Sequence, residues 1–275
     1  VIANPFADVT NTLTIIPNTG VAVSIPGNNI SSLFKLNGAD YVTFNGLNTG
    51  GSSLTVTNTN AGAVASVFWI ASSSTDAANG ANNNSILNCT LSGSGTTTSM
   101  ACVITGSGSA PATPSTTSNS NNTISNCTLK SAQYGILVNG NSSTFDQNWD
   151  ISNNTIGSAG PAEKLGSRGV SLQGVNNFTV TGNTINGVIV NSASTAIGIG
   201  IFGNATNGDI SRNKISDIQQ SSGSGGSAGI YLASSVNGSI VTVNNNFIWD
   251  IFSIGSTTVA NNAAGIAVNS GGGYS

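Results

Sequence analysis

Apolar and polar residues alternate along this chain with a strand period, in short pieces separated by turns. The stretch from Asn122 to Gly140, N-T-I-S-N-C-T-L-K-S-A-Q-Y-G-I-L-V-N-G, holds one full unit. Ile124 points in and Ser125 out. A turn follows at Asn126-Cys127, after which Thr128 points out and Leu129 in. After a short loop, Gly135 opens a third run, Ile136-Leu137-Val138. Successive residues of a strand face opposite sides. Three such strands in so few residues predict one coil of a β-solenoid.

The unit recurs. L-T-I-I-P, V-A-V-S-I-P-G and L-F-K-L-N-G, from Leu13 onward, read as three strands of one coil punctuated by Pro and Gly. Y-V-T-F-N-G-L opens a second coil, continued by S-L-T-V-T-N and V-F-W-I. One turn position then carries the register: Asn45, Cys89, Cys127, Asn154, Asn183, Asn213 and Asn246. Three residues before it stand Val42, Ile86, Ile124, Ile151, Val180, Ile210 and Val243. Two residues after it stand Leu47, Leu91, Leu129, Ile156, Ile185, Ile215 and Ile248. Gly135, Gly169, Gly198, Gly229 and Gly265 each precede an apolar-x-apolar pair. The fold class expected is all-β, a right-handed parallel β-helix of roughly eight three-strand coils, because one coil cannot bury its inner face without neighbours. At about 4.8 Å per coil the rod is about 40 Å long. Residues 1–275 form a single domain in this reading.

The turn column favours Asn, which tolerates left-handed backbone angles and can hydrogen-bond from coil to coil as a ladder. The neighbouring column holds Phe44 and Arg212 and is expected to face out. Cys89 and Cys127 stand in the ladder column, which therefore faces in, since free Cys is commonly buried. They are stacked neighbours, either as two buried thiols or as a coil-to-coil disulfide. Cys102 reads as core. The three Cys have no metal-ligand spacing and the chain has no His, which argues against a zinc site.

The balance of charge narrows the function. Charged residues are 5% and hydrophobic residues 38% of the chain, with net charge -3, so the low hydrophobicity and high charge of disordered segments are both missing. A pI of about 4.4 argues against nucleic acid as partner. No run reaches the roughly 18 apolar residues of a membrane span. Val1 begins within a strand-like pattern, so the chain reads as trimmed, without its targeting segment.

The pattern N-N-T-I-S-N-C-T-L with Y-G-I-L-V-N-G, and L-N-G-A-D-Y-V-T-F-N-G-L at 36–47, resembles the right-handed parallel β-helix repeat of large secreted bacterial surface proteins. This is the pectate-lyase-like superfamily, and many of these proteins look like type IX secretion cargo. The resemblance covers almost the whole chain and implies an extracellular or cell-surface location. It says little about activity, because lyases, hydrolases, adhesins and tailspikes share the architecture.

Loops expected at 157–168, 187–197, 219–228 and 253–264 fall between second and third strands and stack into a wall. Loops 71–84 and 106–121 lie between third and first strands. The second of these carries A-P-A-T-P-S-T-T-S-N-S and is expected to be mobile. Loop faces of solenoids often carry binding, but they are also where insertions are tolerated.

Enzymes of this architecture need clustered acids, or acids with a cation and a base. The best candidate here is Asp217 with Asp250, in I-S-D-I and I-W-D-I, on adjacent coils about 4.8 Å apart. Arg212 and Lys214 lie on the coil of Asp217. Such a pair would raise one pKa or hold a cation; alternatively each Asp caps a turn through its own backbone. Trp69, Trp149 and Trp249 are candidates for stacking on sugars, with Trp69 reading as packed. Thr90, Thr128, Thr155 and Thr184 form an outward column that Lys214 and Phe247 end, too short for the flat array that ice binding wants.

Two function classes follow. One is a non-catalytic surface module, a stalk, adhesin or filament subunit, with a surface glycan or polysaccharide as possible ligand. The other is a carbohydrate-active enzyme, a polysaccharide lyase or glycoside hydrolase. The paucity of charge and the lack of His favour the first, and no cofactor is implied. Neither end carries a polar capping element, so the chain is expected either to be a piece of a longer solenoid or to associate end to end.

Overall fold

The computed structural model describes residues 1–4, 7–222, 225–254 and 262–275. It is an all-β solenoid of eight coils, with no α-helix among the described residues. The first strands of the coils are Leu13–Ile15, Val42–Asn45, Ser85–Leu87, Thr123–Ser125, Asp146–Ser152, Val175–Thr181, Thr206–Ser211 and Val241–Asn244. They stack into one 8-stranded sheet. The second strands are Ala22–Gly27, Ser53–Asn58, Cys89–Ser92, Thr128–Lys130, Thr155–Ile156, Thr184–Val190 and Lys214–Gln220, then Phe247–Ile248 with Ile251–Ser253. The third are Ser32–Asn37, Ser66–Ala71, Ala101–Gly106, Ala132–Asn139, Leu165–Gln173, Ala196–Gly203, Ser227–Ser234 and Ala263–Ser270. Second and third series join into a 17-stranded sheet, linked where Leu165 pairs with Val188. Each strand pairs in parallel with its equivalent one coil away, as in Ile124 with Ile86 and Ile151.

The inward positions make one continuous core, including Ile86, Ile124, Ile151, Val180 and Ile210 from first strands and Leu91, Leu129, Ile156, Ile185 and Ile215 from second strands. The glycine column has a spatial cause. A Cβ on Gly135, Gly169, Gly198 or Gly229 would lie 2.5, 2.7, 2.6 or 2.4 Å from the Cγ2 of Ile156, Ile185, Ile215 or Ile248, the second-strand isoleucine one coil on. Close packing leaves no space for that atom.

The ladder forms. Asn183 Oδ1 accepts from the backbone N–H of Asn154 (2.9 Å) and from its Nδ2 (3.0 Å), and Asn183 Nδ2 donates to the Ile151 carbonyl (2.9 Å) and to Asn213 Oδ1 (3.0 Å). Asn213 repeats this with Asn246. Asn154, Asn183 and Asn213 are buried, and Asn246 on the last coil is half-buried. The two thiols stand in for amides. Cys127 Sγ accepts from the Cys89 N–H at 3.5 Å and donates to the Ile86 carbonyl at 3.4 Å, as Asn154 does to Cys127 N–H and the Ile124 carbonyl at 2.9 and 2.8 Å. All three cysteines are free and buried, so the disulfide alternative does not hold.

The structure corrects several expectations. The residue before the ladder position carries the left-handed backbone: Asn88, Asn126, Asn153, Gly182, Arg212 and Asn245 have φ between 53° and 67°. In the second coil the register lies two residues later than expected in the first strand and nine residues later in the second. Phe44, not Val42, pairs with Ile86 and is fully buried, while Leu54 and Val56, not Asn45 and Leu47, pair with Cys89 and Leu91. There the corner is a long connection rather than one left-handed residue. Asn45 closes its start by accepting the Leu47 N–H at 2.8 Å. Phe44 packs instead against Phe34 and Phe68, with ring centroids 4.8 Å from each.

The second-to-third loops are also shorter than expected, because Thr184–Val190 and Lys214–Gln220 run on as strand; part of loop 253–264 lies outside the described residues. The tract 106–121 is packed rather than loose. Ser115 and Asn119 are fully buried, the Ser115 N–H donates to the Asn139 carbonyl (3.1 Å), and Asn139 Nδ2 donates to the Ala112 carbonyl (2.6 Å). The tract lies against Trp69 and Ile104 on the outer side of the third strands. A second inner amide pair went unread in the sequence: Asn122 Oδ1 accepts the Asn84 N–H, and Asn84 Oδ1 the Val42 N–H, each at 3.0 Å.

Candidate functional site

Hydroxyl and amide side chains line the outward face of the second strands. Strand pairing places Ser24, Thr55, Thr90, Thr128, Thr155 and Thr184 in one outward column, two rungs longer than the sequence column, before Lys214 and Phe247. Over coils four to eight this face forms the floor of a groove of about 490 Å³. Thr128, Thr155 and Thr184 lie along it, Asn186 and Ser216 beside them, and Trp249 at one end. At about 4.8 Å per coil the groove runs for about 20 Å parallel to the rod axis.

One rim of the groove is built by the connection after Thr155–Ile156, which contains a short 3-10 turn, Pro161–Glu163. Glu163 reaches back to form an ion pair with Lys130, and this partner, with help from Ser158, lowers the carboxyl pKa. Lys164, the next residue, extends across coil six to Asp217 on coil seven, Nζ to Oδ2 at 2.7 Å. Gly187 stands on the intervening coil with φ 77°, and a Cβ there would sit 2.1 Å from the Ser158 carbonyl oxygen, so the connection that carries Lys164 packs directly on it. Both partners are largely buried, with side-chain exposures of 15% and 14%.

Asp217 and Asp250 do stand one coil apart, since their following residues Ile218 and Ile251 are paired. Both have φ 53°, the left-handed conformation that Asp tolerates at a turn. Their surroundings differ. Asp217 is bound by Lys164 and by Gln219 Nε2 at 2.5 Å, whereas Asp250 is exposed and makes no ion pair or side-chain hydrogen bond among the described residues. Arg212 lies on the outer corner, where its guanidinium donates to Thr181 Oγ1 at 3.3–3.4 Å. Lys214 stands outward in the hydroxyl column. Neither meets Asp217. The cation that does is 53 residues upstream, and no local signal in the sequence names it. Among the described residues no three acids or cysteines converge as a metal site.

At the groove end Phe247 and Trp249 form an exposed aromatic pair, with centroids 4.7 Å apart and exposures of 63% and 42%. Strand alternation puts both on the outside while Ile248 between them turns in. The other two tryptophans are structural. Trp149 is buried and donates Nε1–H to the Asn119 carbonyl (2.9 Å), and Trp69 is covered, with Lys35 Nζ 4.2 Å from its ring centroid. No family model, curated protein or solved structure matches this chain. No helix among the described residues is long and apolar enough to cross a membrane.

Proposed function

We propose that the chain is a non-catalytic, extracellular β-solenoid module that holds a glycan lengthwise in the groove of its second strands. The observation that carries this reading is the groove itself: a floor of hydroxyl and amide side chains, closed at one end by the exposed Phe247–Trp249 pair. Large apolar groups kept in water beside a polar cleft mark binding surfaces. Sugars offer both an apolar ring face and hydroxyls to such a surface. The ion pairing of Asp217 and Glu163 favours binding over acid–base chemistry, because a general acid or base must be able to exchange its proton with substrate.

This reading takes the chain as a right-handed parallel β-helix of the pectate-lyase-like superfamily, displayed at a bacterial surface as secretion cargo. End-to-end association belongs to it. The last coil leaves its inward residues Ile266 and Val268 at 51% and 63% exposure, and open strand edges recruit further strands. The test is a glycan array with the purified chain, followed by titration of the best ligand against Trp249→Ala and Thr155→Val. Loss of about 10-fold in affinity on Trp249→Ala, as expected for a lost aromatic contact, supports the reading. Turnover of any glycan, abolished by Asp217→Asn or Asp250→Asn, would overturn it in favour of a lyase or hydrolase.

A further inference from the structure

On the outer face of the third strands, four half-buried side chains stack along the rod axis, one from each of coils four to seven: Tyr134, Arg168, Phe202 and Tyr231. The Arg168 guanidinium carbon lies 5.7 Å from the Tyr134 ring centroid and 4.1 Å from that of Phe202. The Phe202 and Tyr231 rings follow at 5.6 Å, inclined by 29°. Local sequence arranges this. Tyr134 and Arg168 are register partners. Gly200 leaves the space that the Phe202 ring fills, since a Cβ there would meet the ring at 2.4 Å.

The guanidinium in this sandwich lacks a counter-ion. Nη1 donates to Ser171 Oγ at 3.0 Å, and Nε is buried with no acceptor. All nine carboxylates of the chain lie among the described residues. The two ion pairs found there are Lys130–Glu163 and Lys164–Asp217, so none of the nine serves Arg168. Burial lowers the guanidinium pKa, yet an arginine stays charged in proteins. Ring contacts offset part of the cost of burying that charge, and they hold the planar fork in one orientation. They provide no oxygen for its N–H groups. A fixed guanidinium is the group best suited to two-pronged recognition of an oxyanion.

We propose that Arg168, fixed between Tyr134 and Phe202, is a binding subsite for a carboxylate or sulfate group on an extended ligand lying along the third strands. The site lies on a different face from the groove and does not depend on it. Three polymers with one backbone separate the possibilities: carboxymethyl dextran, dextran sulfate and neutral dextran. Arg168 and Arg212 are the chain's two arginines, so their Nε–H resonances report on both in the unmodified protein. An acidic dextran is expected to shift the Arg168 signal and leave Arg212 in place, with neutral dextran moving neither. Arg168→Gln should weaken acidic-dextran binding about 10-fold, while Arg212→Gln leaves it unchanged. A response to one acidic dextran alone assigns the group as carboxylate or sulfate. Equal shifts at both arginines, no shift at Arg168, or wild-type affinity in Arg168→Gln would overturn the proposal. If Arg168→Gln does not fold, the resonance titration on the unmodified chain decides.

Discussion

At the scale of single residues, the amide and thiol groups at the first corner do a job the backbone cannot do alone. A tight corner turns N–H and C=O groups inward, where no water reaches them, and a buried unpaired group costs roughly 1–3 kcal/mol. Asn183 satisfies such groups on two coils at once. Asn183→Leu should therefore lower stability by roughly 1–3 kcal/mol in chemical denaturation, and retention of full stability would show that the ladder is dispensable. Asp146 is a different case. Its Oδ1 accepts from Ser115 Oγ (3.1 Å) and the Asn119 N–H (2.8 Å), but Oδ2 is buried without a partner, and burial pushes the carboxyl pKa up to about 7. The folded state thus holds a proton that the unfolded state releases near pH 4. Its contribution to stability is full below that pH and is lost as pH rises toward about 7, an effect of up to roughly 4 kcal/mol. Asp146→Asn should flatten this slope; thermal melts at pH 4, 5.5 and 7 check it.

At the scale of elements, the third strand depends on its leading glycine. Gly198 has an isoleucine methyl and a backbone oxygen, the Gly229 carbonyl, within 2.6 Å of where its Cβ would be. A backbone atom cannot step aside as a flexible side chain can. Gly198→Ala is expected to cost about 1–3 kcal/mol from overpacking, with a lower midpoint and unchanged slope in urea unfolding. The connections behave as elements too. The tract at 107–121 looked loose by composition. It is held instead by Asn139 and Asp146 against Trp69 and Ile104. The connection carrying Lys164 ties coil five to coil seven.

At the scale of the whole molecule, the 275 residues taken by themselves leave inward residues of the last coil in water. Its third strand pairs on one side with Ser227–Ser234, and Ile266 and Val268 stay more than half exposed. The lower coil offers partly exposed Leu13 and Val21. Stacking one rod on the next would bury both sets in coil-to-coil geometry, a head-to-tail contact that does not close on itself. The expectation is concentration-dependent association of the chain in sedimentation velocity, suppressed by Val268→Lys. A monomer at every concentration, identical in both proteins, would count against it.

Much of this was legible in the chain. The strand period, the three strands per coil and the inward columns from Cys89 to Asn246 are set by residues a few positions apart, so they show as local alternation repeated at a near-constant spacing. The stacked cysteines followed from the same register. The second coil misled because V-T-F-N has the look of I-S-N-C, while the longer corner that moves the pairing onto Leu54 and Val56 leaves no mark in hydrophobicity. The candidate sites were legible only in part. The Thr column could be read as outward, because alternation places it, whereas the exposed Trp249 was not told apart from the buried Trp149. That Lys164 takes Asp217, that Glu163 takes Lys130, and that Arg168 lies between Tyr134 and Phe202 could not be. Those contacts join side chains from different coils across connections of irregular length. Local alternation determines which face a residue occupies; the stacking of coils and the path of the connections determine which residues meet there.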